Sequence, residues 1–89
     1  MVRLKRLVLD ILKPHDPNAL EFSRRLAEQS ACRVALKVVE NDDMTQTVQV
    51  VIEGPDIDFE SVRAAISEFG ASLHSIDEVE VEGVAEQDG

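Results

Sequence analysis

Tryptophan and tyrosine are absent from this 89-residue chain, and its aromatic side chains amount to three phenylalanines. Single-stranded nucleic acids and their bases are held largely by stacking on such rings, so that platform is missing. Cys32 is the one cysteine, which excludes an intramolecular disulfide and any cysteine-only metal site. Long apolar runs are lacking too. The stretch that follows Arg3, Lys5 and Arg6 is interrupted by Asp10 and Lys13, too short and too broken for a membrane span or a signal peptide. The expectation is a cytoplasmic protein with no membrane partner.

Hydrophobic residues make up 44% of the chain, mostly Val, Leu, Ile and Ala, enough for one packed core. A chain of this size forms a single domain, read here as residues 1–84 with a frayed tail at 85–89. The net charge of −9 is unevenly spread: residues 1–37 carry +4 and residues 38–89 carry −13. A basic amino half suits nucleic acid, whereas two halves lying side by side neutralise each other. With the aromatic bed absent, the second reading is preferred and no nucleic-acid partner is expected. The acidic excess, with six Arg against three Lys, also fits a salt-adapted cytoplasm.

From Arg3 to Leu12 the pattern places Leu7, Leu9 and Ile11 on one face and Val8, Asp10 and Leu12 on the other, as in a central strand. At "KPHDP" the strand stops, because proline cannot donate to a ladder. Asp16 as N-cap and Pro17 at the first helical position then predict a helix of about sixteen residues, with Ala19, Phe22 and Leu26 on its apolar stripe. "CRVALKVVE" and "TVQVVIEG" are two strands joined by the polar turn "NDDMTQ". Asp58 caps a second helix with Ile57 and Val62 as a hydrophobic staple, and Gly70 ends it. "SLHSIDEVEVEG" supplies a fourth strand.

The order βαββαβ predicts an α+β, ferredoxin-like fold: a four-stranded antiparallel sheet ordered 4-1-3-2 with two helices on one face. In it, Arg3, Lys5 and Arg6 face Glu78, Glu80 and Glu82 across the outer ladder, and opposite pairs there stabilise by roughly 0.2–1 kcal/mol each. The other ends of these strands gather His15, Asp16, Glu40, Asp42, Asp43, His74 and Asp77 along one rim. Asp10 is a carboxylate inside an apolar strand. Asp10, His15, Asp16, His74 and Asp77 are therefore the candidate ligands of a divalent cation, carboxylates suiting Ca²⁺ or Mg²⁺ and imidazoles suiting Zn²⁺. Hydrogen-bonded strand-end histidines and solvated loop acids explain the same residues without a metal. The sheet face away from the helices, with Val8, Leu12, Ala35 and Val39, lacks a cover from this chain, and a homo-oligomer supplies one.

The stretches "LVLDILKPHDP", "VVIEGPDIDFESVRAAISEFG" and "LHSIDEVEVEG" resemble the archaeal domain-of-unknown-function family 211. The resemblance implies a ferredoxin-like fold, homo-oligomeric packing and an archaeal cytoplasm, and it brings no catalytic residue. "EQSACRVALKVVE" departs from the family's pattern, which tends to have glycine before the second strand. The function expected is a non-enzymatic, self-assembling module that binds a metal ion or small ligand at its rim or subunit junctions. The alternative is a small hydrolase- or lyase-like enzyme using a His/Asp pair at that rim, since an imidazole beside a carboxylate can work as acid or base. No nucleophile elbow or phosphate loop accompanies it, and Cys32 after an apolar helix end reads as packing rather than as a nucleophile.

Overall fold

Residues 1–85 are described by the computed structural model. Their elements run β1 (Val2–Pro14), α1 (Ala19–Ser30), β2 (Arg33–Asn41), β3 (Thr45–Glu53), α2 (Phe59–Glu68) and β4 (Ser72–Gly83). The sheet is antiparallel throughout in the order β2-β3-β1-β4, the expected ferredoxin-like arrangement read from its other edge. Residues 86–89 of the expected frayed tail lie outside the described residues.

The two-residue period of β1 decides the layering. Leu7, Leu9 and Ile11 are buried with Val48, Val50 and Ile52 of β3 beneath Phe22 and Leu26 of α1 and Val62, Ala65 and Ile66 of α2. Phe22 and Phe69 meet edge to face, their ring centroids 5.9 Å apart. Lys13 continues the same parity and is fully buried.

The helix boundaries are chemically distinct. α1 is shorter than expected, and its N-cap is Asn18, not Asp16: the Asn18 Oδ1 accepts the Glu21 backbone N–H at 2.9 Å. Pro17 precedes the cap, so its fixed dihedral shapes the approach rather than the first turn. α1 ends at Ala31 in the left-handed region (φ 54°, ψ 33°), a conformation ordinarily left to glycine. α2 follows expectation: the Asp58 carboxylate accepts the Glu60 and Ser61 backbone N–H groups. Its end is a Schellman turn, with Ala71 N–H donating to Ile66 O, Gly70 N–H to Ser67 O, and Gly70 at φ 77°.

Three irregularities interrupt the β1–β4 ladder. Successive pairs skip Lys5 on β1 and Asp77 and His74 on β4, and Val39 is skipped between β2 and β3. The basic start of β1 does meet acids of β4, as Arg3 lies opposite Glu82 and Arg6 opposite Glu80. The ion pair itself is diagonal: Arg6 Nε reaches Glu78 at 3.0 Å, and its Nη1 reaches Glu53 of β3 at 3.1 Å. The Glu78 hydrogen bond is the chief reason that the Arg6 pKa is raised.

Candidate functional site

The open side of the sheet is built by the alternate residues of β1. Val8 pairs with Val51 and Glu78, Asp10 with Gln49 and Ser75, Leu12 with Thr47 and Ser72. Ser75 and Leu73 pair with consecutive residues of β1, so His74 between them is a bulged residue. Asp10, Leu12, Thr47 and His74 together line a shallow recess of about 220 Å³. It combines one carboxylate, one imidazole and one hydroxyl with an aliphatic wall, a mixture suited to a small polar ligand or to part of a cation's coordination shell.

The other candidate ligands are elsewhere. His15 follows Pro14 at the end of β1, and its ring Nε2 is 2.6 Å from the Asp42 backbone oxygen in the β2–β3 turn. A carbonyl only accepts, so Nε2 carries the proton and Nδ1 is the nitrogen left to bind. His15 is four to five positions further along the chain than the β1 residues of the rungs flanking His74, about 15 Å along an extended strand. Asp16 is exposed in the loop before α1, and its charge works against the lowering of the Lys13 pKa that loss of hydration causes. Asp77 is the second bulged residue of β4 and accepts the Ser75 hydroxyl at 2.7 Å. The structure thus brings Asp10 and His74 to one recess, which His15, Asp16 and Asp77 do not line. Among the described residues, no three His, Cys, Asp or Glu side chains are grouped as a metal centre requires. A cation in the recess would take Asp10 and His74, and the rest of its shell would have to come from Thr47, water or another copy.

Sequence reasoning missed Thr47 and Lys13. The β1–β3 register brings Thr47 opposite Leu12, and no turn in the sequence fixes that register, because the two strands are separated by α1 and β2. Lys13 shares the parity of Leu7, Leu9 and Ile11, which was already a signal that it faces the helices. Its ammonium donates to Pro14 O at 2.8 Å and to Gln46 Oε1 at 2.9 Å, with the Phe22 ring centroid 5.9 Å away. Loss of hydration lowers its pKa, and Asp16 opposes that shift. Cys32 is half-buried, its thiol donating to Ser30 O at 3.3 Å, and a Cβ at Gly54 would fall 2.8 Å from its sulfur. It is wedged against the β3 exit.

Of the four residues expected on the open face, Ala35, Leu12 and Val39 are exposed, while Val8 is only 5% exposed. A second apolar row was not foreseen. On the helix side of β4, Ile76, Val79 and Val81 are 47%, 54% and 57% exposed. No helix of the described residues is long and apolar enough to cross a membrane.

The model of the domain-of-unknown-function family 211 (DUF211, described as uncharacterized ArCR) matches residues 5–86. The chain belongs to DUF211. An uncharacterized protein of the archaeon Methanocaldococcus jannaschii is 42% identical over 77 residues, covering 85% of this chain and 79% of the relative. The match to DUF211 takes in β1 from its fourth residue and all the other elements, and so includes the recess, Lys13 and the bulge at His74.

Proposed function

We propose that this DUF211 chain is a non-enzymatic cytoplasmic module that assembles with copies of itself and holds a small ligand or divalent cation on its open sheet face. The carrying observation is the recess of Asp10, Leu12, Thr47 and His74 on a sheet side that neither helix covers. Two ligating side chains on adjoining strands form a partial shell, and a partner copy or a chelating ligand completes it. Exposed aliphatic residues at Leu12 and Val39 favour a surface that meets protein rather than water alone. The cytoplasmic location rests on the sequence, where charged residues break the first apolar run. The hydrolase- or lyase-like alternative has less support, because the recess holds one of the two histidines and His15 is tied to the hairpin turn.

Calorimetric titration with Zn²⁺, Ca²⁺ and Mg²⁺ at up to millimolar concentration tests the binding half. Heat that disappears in Asp10→Asn and His74→Ala, and persists in His15→Ala, supports the recess. Silence from all three cations removes the cation. Sedimentation across physiological salt tests the assembly half, and a monomer throughout ends it.

A further inference from the structure

We propose that copies of the chain join through their two sheet edges, β2 of one copy against β4 of the next. This rests on the self-assembly reading and says where the contact lies. The argument follows the rungs that cross the sheet. On the open side one rung runs Arg33, Glu53, Arg6, Glu80, alternating in sign from edge to edge. On the helix side the adjoining rungs run Val34, Ile52, Leu7, Val79 and Leu36, Val50, Leu9, Ile76, aliphatic throughout.

The end members of these rungs complement one another. β2 presents the exposed cations Arg33 and Lys37, and β4 presents the exposed acids Glu78, Glu80 and Glu82. The opposite side of both edges is aliphatic and partly bare, Val34, Leu36 and Val38 on β2 and Ile76, Val79 and Val81 on β4. Because β2 and β4 run in opposite directions, a second copy set beside the first in the same plane continues the antiparallel sheet with its helices on the same side. Arg33 then meets Glu80 and Val34 meets Val79. A slip of two residues keeps both faces and still sets Arg33 against Glu78 or Glu82.

Ladder geometry points to the same windows. Bulges ordinarily blunt an exposed edge, yet the skipped residues of β2 and β4 are Val39, His74 and Asp77. Arg33–Val38 and Glu78–Glu82 are left regular, and the two windows overlap on three rungs, Arg33–Ala35 at one edge and Glu78–Glu80 at the other. Pairing β4 with another β4 would place carboxylate against carboxylate, so the edges select unlike partners. Such a head-to-tail contact closes into a ring or runs on as a filament, and it leaves the Asp10–His74 recess accessible.

The test is sedimentation of the full chain and four variants, with circular dichroism to confirm folding. Val79→Lys changes a half-exposed side chain without touching an intrachain ion pair, and it should raise the dissociation concentration at least about tenfold. Arg33→Glu and Glu80→Arg should each weaken assembly, while the double variant, and an equimolar mixture of the two singles, should recover it. Wild-type assembly that none of these variants alters overturns the edge contact and leaves the self-assembly reading standing. A monomeric wild type overturns both. Weak single variants with no recovery in the double variant overturn the charge matching, as expected if the edges receive the strand of an unrelated protein.

Discussion

Lys13→Met removes the one buried charge among the described residues at little cost in volume. In the native chain the ammonium donates to Pro14 O and Gln46 Oε1, so methionine leaves two partly buried acceptors without a donor. Each acceptor accounts for about 1 kcal/mol, offset in part because an uncompensated hydration loss disappears with the charge. The net loss at pH 7 is about 1–2 kcal/mol, and Lys13→Ala, which also opens a cavity beneath Phe22, costs about 3 kcal/mol or more. The pH dependence is the sharper test. Burial lowers the folded pKa of Lys13 below its ordinary 10.5. Between the two values the unfolded chain binds more protons than the folded one, so wild-type stability rises with pH in that window and is lower beneath it. Urea unfolding of wild type and Lys13→Met from pH 7 to 10.5 isolates this effect, because the other titrating groups cancel in the difference. The gap should widen toward pH 10.5. A constant gap means that Lys13 titrates as an exposed lysine, and the buried-ammonium account is then wrong.

Two further substitutions test the ends of α1. Asn18→Ala should cost about 1 kcal/mol by freeing the Glu21 N–H, whereas Asp16→Ala should stay within about 0.5 kcal/mol; thermal unfolding giving the reverse order would return the cap to Asp16. Ala31→Gly should stabilise by about 0.5–1 kcal/mol, the left-handed strain relieved exceeding the added freedom of the unfolded chain. It would appear as a higher urea midpoint at unchanged slope, and a lower midpoint would mean that Ala31 is not left-handed in solution.

The architecture was legible because its signals are local and redundant. The alternation in β1, the Asp58 cap and the Gly70 terminator each specify one element, and only one right-handed assembly joins the six. The start of α1 was misread because Asp16, Pro17 and Asn18 are all acceptable there, and one hydrogen bond to Glu21 chooses among them. The glycine missing before β2 was a legible irregularity whose consequence, a left-handed Ala31, needed coordinates. The site was harder. Parity along β4 holds only until a residue is skipped, and the bulges at His74 and Asp77 break it twice within four residues. Gathering at a rim also says little about distance along a strand. His15 and His74 share an end of the sheet in topology, yet one is fastened to the Asp42 carbonyl and the other faces Asp10.

The charge asymmetry between the two halves of the chain has a spatial form that composition alone does not reveal. β1 contributes cations to the middle of the sheet, where Arg6 is shared by Glu53 and Glu78 and so neutralises acids on both sides of itself. That leaves the basic residues of the second strand, Arg33 and Lys37, gathered on one edge and the acids of the last strand on the other. The result is a polarity across the sheet in addition to the net charge of −9. Net charge alone makes copies repel at long range, and salt screens that repulsion beyond about 10 Å. In the proposed edge contact this polarity would act at short range, setting each copy's Arg33 and Lys37 against its neighbour's carboxylates. The aliphatic rows behind both strands, with side chains half exposed on β4, would gain burial in that same orientation. In the proposed edge contact, sign and hydrophobicity therefore favour the same relative orientation of two copies.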